Sequence, residues 1–244
     1  MELFPIKTRK MTPPKDDIFQ ILNKSLPAIK EKDIVLITSK IVSIHQKRCV
    51  KITSKRQKDK IIKKESDYTT TYTDPNNHTH RFAITHNTIL GGAGIDQSNG
   101  DNFHILLPKD TFKIAKEIWS YIKKEHNTKE LGVIITDSKS QPLRYGTIGT
   151  AIAFWGINPI NNHIGKTDLF GRKMIMEKSN TVDPLAAAAT LLTGETDEQT
   201  PITIARNIHN ITFTQKNTQK ELFVKSLKED IFYPMLRPFE EKTL

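Results

Sequence analysis

The segment GVIITDSKSQPLRYGTIGTAIA, residues 132–153, decides how the rest of the chain is read. Val133-Ile134-Ile135 is a short, unbroken apolar run, the pattern of a strand covered on both faces, and the burial pattern stops at Asp137. A carboxylate (Asp137), two hydroxyls (Ser138, Ser140) and a guanidinium (Arg144) follow, ahead of Gly146, Gly149 and the small pair Thr150-Ala151. α/β proteins commonly place ligands on loops at strand ends, so this polar stretch is a candidate site. A strand running into an ordinary polar turn gives the same local pattern, and the segment by itself leaves both readings open.

Outward from that segment the chain alternates strands and helices. Upstream, Asp33-Ile-Val-Leu-Ile-Thr38 reads as another buried strand ending in Ser39-Lys40, a hydroxyl and an ammonium that can hold a phosphate or cap a helix. Residues 16–30 place Ile18, Ile21, Leu22, Leu26 and Ile29 at helical spacing, with Pro27 bending or ending the helix. Residues 111–125 carry Phe112, Ala115, Ile118, Trp119 and Ile122 as a helical stripe for the core. After the strand pattern at 81–85, Ile89-Leu-Gly-Gly-Ala-Gly-Ile-Asp96-Gln-Ser-Asn99 lets the backbone bend sharply and delivers a carboxylate and an amide three positions apart. That pair suits a hard divalent ion and a nucleotide hydroxyl or base, although glycine-rich turns also simply turn.

Downstream, residues 165–172 form a turn-rich polar element that either binds phosphate or pins a loop. Asp183-Pro184 opens an alanine-rich helix with a capping carboxylate and a proline at its first position. The helix ends near Gly194, and Glu195, Asp197 and Glu198 follow on one loop, where they repel one another unless solvated or neutralised by a cation. Residues 201–206 read as a strand. The tail, 217–244, reads as a helix and a partly ordered end, with Arg237, Glu240 and Glu241 at its close.

Composition narrows the class. The chain has 244 residues, 36% hydrophobic and 26% charged, enough for a sizeable core and too apolar for a disordered chain. No window approaches the roughly 18–20 continuous apolar residues of a membrane-spanning helix, and MELFPIKTRK lacks an apolar signal core, so a cytoplasmic protein without a membrane partner is expected. Cys49 is the lone cysteine and has no internal disulfide partner. The net charge of +10 implies an anionic partner: nucleic acid, nucleotide phosphate or polycarboxylate. Residues 51–64 hold seven basic residues, one acid and no aromatic, so a stacking surface for nucleic acid is not expected; a solvated, mobile excursion (51–80) or an anion-attracting lid is. His78 and His80 alternate on one face without a third soft ligand, which argues against zinc. No Walker loop, dinucleotide fingerprint or Gly-x-Ser-x-Gly elbow is present.

In order along the chain stand Gly94-Ile-Asp96-Gln-Ser-Asn99, then Gly132-Val-Ile-Ile-Thr-Asp137-Ser138 with Arg144-x-Gly146-x-x-Gly149-x-Ala151, then Asp168-Leu-Phe-Gly171-Arg172, then Asp183 and Gly194-Glu195 with Pro201. This succession, with Phe4-Pro5 and the strand ending in Ser39-Lys40, resembles the coenzyme F-420 gamma-glutamyl ligase family over about residues 3–206. The resemblance implies an α+β fold of mixed sheets and helices in two lobes around a groove, one catalytic module over 1–244, and an intertwined homodimer. It implies a GTP-dependent ligase that joins L-glutamate to a carboxylate of a deazaflavin coenzyme precursor through an acyl phosphate. Two divalent ions, Mg or Mn, would fall to the positions matching Asp96, Asp137, Ser138 and Glu195, with room for a monovalent cation. Ser39, Lys40, Asn99 and the loop bearing Thr193, Gly194, Glu195, Thr196 and Asp197 match the family's nucleotide contacts. Asp137 is assigned to catalysis with Arg144, whose bidentate donors suit an oxyanion.

Three places depart from the family pattern. Thr8-Arg9-Lys10-Met11 stands where a Gly-x-Pro turn is usual, Ile44 where a lysine is usual, and Lys139-Ser140-Gln141 where an Asn/Phe-Gly-Arg turn is usual. The metal carboxylates are untouched, whereas the nucleotide and acceptor surfaces are changed. Ligation on another acceptor such as a folate therefore stays open, as does a non-catalytic nucleotide- or RNA-binding relative.

Overall fold

The two apolar runs that end in Ser39-Lys40 and Asp137-Ser138 lie side by side as parallel strands, in register from Ile34↔Gly132 to Thr38↔Thr136. The structure, a computed structural model, describes residues 1–239; Glu240 and Glu241 of the tail lie outside the described residues. Along the chain the elements are β1 (Glu2–Ile6), α1 (Ile18–Ser25), β2 (Ile34–Thr38), α2 (Ser39–His45), β3 (Cys49–Val50), α3 (Lys55–Glu65), β4 (Tyr68–Thr73), β5 (Thr79–Thr85), β6 (Thr88–Gly91), β7 (His104–Ile105), α4 (Thr111–Glu125), β8 (Gly132–Ser140), β9 (Thr147–Trp155), β10 (Ile160–Asn162), β11 (Lys178–Asn180), α5 (Val182–Thr193), β12 (Ile202–Arg206), α6 (Gln219–Leu222) and α7 (Tyr233–Leu236). The main sheet has the order β1-β12-β2-β8-β9, antiparallel except for the β2–β8 pair. A separate antiparallel sheet, β4-β5-β6, and the short pairs β3-β7 and β10-β11 complete an α+β architecture.

The main sheet is covered on both faces, as its unbroken apolar runs require. Val35, Ile37, Val133, Ile135, Ile202 and Ile204 pack with side chains of α1, α2 and α4, while Ile34, Leu36, Ile134 and Ala205 pack with α5. Each buried Ile or Leu contributes about 1.5–3 kcal/mol of transfer free energy. Asp17 caps α1 by accepting from the Phe19 and Gln20 amides at 2.8 and 3.2 Å, and the helix ends at Ser25, ahead of Pro27. Trp119 of α4 is core, its Nε1 donating to the Leu131 carbonyl at 2.8 Å.

Two features turn this sheet into a platform. First, β8 pairs with β9 through Ile135↔Ala153 and then Thr136↔Ala151, so Ile152 is an extra residue, and this β-bulge lies directly before Asp137. Bulges re-aim the side chains that follow them. Second, α5 lies unusually close to β9. A Cβ at Gly149 would stand 2.2 Å from Thr190 Oγ1 and 2.5 Å from the Ala186 carbonyl oxygen, so only glycine fits. Asp183 does not cap α5, as its position before Pro184 suggested. It accepts from the Ala151 amide (2.8 Å), Thr150 Oγ1 (2.9 Å) and Asn180 Nδ2 (2.6 Å), clamping the helix to β9. Asn180 Oδ1 accepts from the Val182 and Asp183 amides instead.

The basic run is helical over Lys55–Glu65, with most of its basic side chains exposed. Ser54 Oγ accepts from the Gln57 amide at 3.2 Å, Ile62 is buried against Ala83 and Ala93, and its two acids face inward, Asp59 to Arg81 and Glu65 to Arg48. The tail forms short turns rather than one long helix, because Pro234 and Pro238 interrupt it. In the 165–172 element Asp168 Oδ1 accepts from the Phe170 and Arg172 amides, pinning a turn. His80 and His78 converge on Asp74, at 3.0 and 3.5 Å. Cys49 is half-buried, which pushes its thiol above the ordinary value. No helix among the described residues is long and apolar enough to cross a membrane.

Replacing Gly149 with alanine is expected to force α5 away from β9 and to destabilise the chain by about 1–3 kcal/mol, read as a lower denaturant midpoint; an unchanged midpoint would contradict the close approach.

Candidate active site

The parallel register brings Ser39 at the end of β2 next to Asp137 in β8. β12 runs antiparallel to β2, so the acidic loop that precedes it arrives at the same end of the sheet, where the Thr38 amide donates to the Pro201 carbonyl at 3.0 Å. The glycine turn after β6 closes the opposite side. Gly92, Ala93 and Gly94 all have φ between 54 and 68°, a left-handed run that glycine permits and that Ala93 adopts under steric cost. A Cβ at Gly94 would meet Leu107 at 2.9 Å. These segments enclose a groove of about 530 Å³.

Eleven of the residues singled out from sequence line it: Ser39, Lys40, Asp96, Asn99, Asp137, Ser138, Thr193, Gly194, Glu195, Thr196 and Asp197. Arg144 does not. It sits on the exposed β8–β9 hairpin, with a guanidinium nitrogen donating to the Leu143 carbonyl at 2.9 Å. Lys40 Nζ lies 2.5 Å from Asp96 Oδ2 and donates to the Ser98 hydroxyl (2.8 Å) and carbonyl (3.1 Å). Ser98 in turn donates to Asp96 through its amide (2.8 Å) and hydroxyl (2.7 Å). Asn99, itself left-handed at φ 54°, donates through Nδ2 to the Thr196 carbonyl at 2.6 Å and so ties the glycine turn to the acidic loop. Ser138 Oγ donates to Glu195 Oε1 at 2.6 Å, tying β8 to the same loop.

Sequence reasoning assigned no part to Ser98, and took Glu198 only as one of three acids crowded on one loop. The Asp96-x-Ser98 spacing is an Asx-turn signal that identifies the first. Glu198 folds back on its own loop, accepting from the Thr196 amide (2.9 Å) and hydroxyl (3.0 Å), and a Cβ on Gly194 would collide with its carboxyl at 2.1 Å. Backbone amides, its own first and then that of Thr196, hold it below the usual carboxylate range. All three loop acids line the groove, and Glu198 in addition braces the loop.

The electrostatics single out Asp137. Protein encloses its carboxyl although the residue still touches solvent. This burial pushes its pKa to about 6, against the opposing effects of the Ser138 amide (2.8 Å), Lys40 and Ser39, and with help from the nearby Asp96. Burial also pushes Asp96 up, but Lys40 and the two Ser98 bonds outweigh it and hold the carboxyl below its ordinary value. Among the described residues no three His, Cys, Asp or Glu side chains converge closely enough to hold a metal ion alone. Mg²⁺ is usually held by one or two carboxylates together with substrate phosphates, so this donor set fits such an ion when a nucleotide completes it. A larger groove of about 1010 Å³ lies elsewhere and counts Glu221 as its single Asp or Glu, so the acidic chemistry belongs to the smaller one.

A model of the family described as F420-0:Gamma-glutamyl ligase matches residues 5–207, a span that includes every groove residue named above. The chain belongs to that family. Coenzyme F420:L-glutamate ligase of Methanococcus maripaludis strain C6 is 34% identical over 217 residues, covering 84% of this chain and 86% of the relative. The protein of the same name from Haloarcula marismortui is 30% identical over 226 residues, covering 85% and 87%. That of Methanothermobacter thermautotrophicus is 37% identical over 131 residues, 52% of each chain. Membership in the gamma-glutamyl ligase family makes the chain an amide-bond-forming ligase, and the regular elements from β1 to β12 carry the matched region.

Asp137 also sets a pH dependence. Its folded pKa is raised from 3.8 to about 6, so its neutral form stabilises the fold at low pH, and that stability is lost as pH rises through 6. Asp96, with a lowered pKa, has the opposite sign, its contribution being lost as pH falls below the ordinary range. In EDTA the protein is expected to lose up to about 3 kcal/mol between pH 4 and 7.5 through Asp137. Asp137→Asn is expected to flatten that loss and to be the more stable protein at pH 7.5, measured by urea denaturation; equal pH profiles would contradict the burial of this charge.

Proposed function

We propose that this chain ligates L-glutamate, through its amino group, to a carboxylate of a coenzyme F420 precursor, at the expense of GTP. The observation that carries the reading is the buried, high-pKa Asp137 beside Ser138, facing Asp96 and Glu195 across a groove lined by no cysteine nucleophile and no histidine to activate a serine. Phosphoryl transfer is mostly positioning and charge neutralisation, and needs oxygen ligands rather than such a nucleophile. Two divalent ions, Mg or Mn, held by Asp96, Asp137, Ser138 and Glu195 would neutralise phosphate charge and draw the Asp137 pKa down.

The chain's own groups have separable parts in this account. Ser39, Asn99 and the loop from Thr193 to Thr200 position the nucleotide. Lys40, now paired with Asp96, is released toward phosphate when Asp96 is taken up elsewhere. The acceptor carboxylate oxygen attacks the γ-phosphorus and GDP leaves. The glutamate amine then attacks the acyl carbon, losing a proton, and inorganic phosphate departs with one acceptor oxygen.

A homodimer belongs to the same reading. Leu169 and Phe170 are 98% and 95% exposed, and Ile175, Met176, Leu143 and Tyr145 are exposed as well, on the loop between β10 and β11 and on the β8–β9 hairpin. Apolar side chains gathered on projecting arms mark an interface. The proposed part of Arg144 as an oxyanion partner falls within that assembly, since the groove of one chain does not include it.

The test is incubation with Mg²⁺, GTP or ATP, glutamate and either a deazaflavin precursor or a folate, followed by mass spectrometry. The deazaflavin precursor is expected to gain one glutamyl residue with GTP. Asp137→Asn is expected to lower turnover at least about 100-fold with an unchanged circular dichroism spectrum. No nucleotide turnover with any acceptor would sink the reading, and full activity of Asp137→Asn would remove the metal assignment.

A further inference from the structure

The larger groove, about 1010 Å³, lies at the first turn of α5, whereas the acidic groove lies at its last. Thr190 and Thr193 face the acidic groove, and Pro184 and Leu185 the larger one. β10 and β11, the segment 208–212 and α6 wall it in. Its charge is opposite to that of the first groove. Lys166, Lys178 and Lys220 line it against the single acid Glu221, and none of the three lysines is within 4 Å of a carboxylate among the described residues.

The wall is also braced in a way that leaves polar atoms unspent. Asn161 Nδ2 donates to the Asn210 carbonyl at 2.6 Å, which fixes the side chain and leaves Oδ1 as an acceptor. Asn158 Oδ1 accepts from the Ile160 amide (3.1 Å) and Asn162 Oδ1 from the Ile164 amide (3.0 Å), which leaves both NH₂ groups as donors. Thr181 Oγ1 donates to the Asn158 carbonyl at 3.1 Å and holds the floor in place. Asn158 and Asn161 are half-buried and Asn162 is exposed, and amides held by backbone groups in this way are preorganised and lose little freedom on binding.

We propose that this groove is a second binding site, for a phosphate-bearing, hydroxyl-rich small molecule. The three ammonium groups match a dianionic phosphate ester, and the mixed amide donors and acceptor match hydroxyls, which present both functions. The volume is of the order of known small-molecule sites, roughly 300–1,000 Å³. The same chemistry could come from the far end of the acceptor or from a separate phosphorylated metabolite. The acidic groove is no competitor for such a ligand without divalent ions, because its carboxylates repel phosphate.

That difference in sign supplies the experiment. Calorimetric titration of the full chain in EDTA with glycerol 3-phosphate is expected to show saturable binding, tighter than that of inorganic phosphate and absent with glycerol. The double charge reversal K178E/K220E, at two exposed positions, is expected to weaken it about tenfold or more, as is Lys166→Glu alone to a smaller extent. Asp137→Asn is expected to leave it unchanged, which separates this site from the proposed catalytic groove. Displacement of the phosphate ester by coenzyme F420 would assign the groove to the acceptor, and its persistence would assign it to a separate metabolite. No binding to the metal-free wild type, or binding that K178E/K220E leaves unaltered, would overturn the proposal.

Discussion

Burying the Asp137 carboxylate at the end of a strand covered on both faces works against folding at neutral pH, and the surrounding structure is arranged around that one unfavourable group. The apolar runs of β2 and β8 bring it to the sheet edge with Ser39 alongside. Alternation along β8 puts it on the face of Val133 and Ile135, the face that α2 covers and from which Lys40 reaches it. The clamp from Asp183 to Thr150 and Ala151 holds β9, and with it the bulge, against α5. Asp96, Asp137, Glu195 and Asp197 gather negative charge in one groove, which disfavours an approaching anion until that charge is neutralised.

Lys40 is the counterweight. Paired to Asp96 at 2.5 Å and to both polar atoms of Ser98, it gives the acidic groove a stable resting arrangement in which one of the proposed metal carboxylates is already occupied. In the proposed exchange of that ammonium for a divalent ion, the Ser98 amide would keep its hold on Asp96. The glycine turn and the acidic loop are joined through Asn99 and Thr196, so both sides of the groove keep their spacing during the exchange.

Much of this was legible in the sequence because it depends on local chemistry. Unbroken apolar runs gave β2 and β8, and the 3.6-residue stripe gave α4 over Thr111–Glu125. Strand ends followed by polar residues pointed to Ser39, Lys40, Asp137 and Ser138, the glycine-rich turn to Asp96 and Asn99, and the end of the alanine-rich helix to residues 193–197. What failed involved distance along the chain. Asp183 reads as a helix cap until β9 is known to lie beside it, and Gly149 reads as a flexible step until Thr190 occupies the space of its Cβ. The basic run is solvated as its composition implies, but the anchoring of its helix through Asp59 to Arg81 and Glu65 to Arg48 depends on partners outside the run. Arg144 follows the platform closely in sequence, yet the hairpin carries it away from the groove.

The central claim is that this platform supports transfer of a phosphoryl group to the acceptor carboxylate before the amide forms. Positional isotope transfer tests it directly. With an acceptor carrying ¹⁸O in the reacting carboxylate, and GTP, Mg²⁺ and glutamate present, the account predicts one ¹⁸O in each inorganic phosphate released alongside a new amide. Amide formation with phosphate free of the label would contradict it.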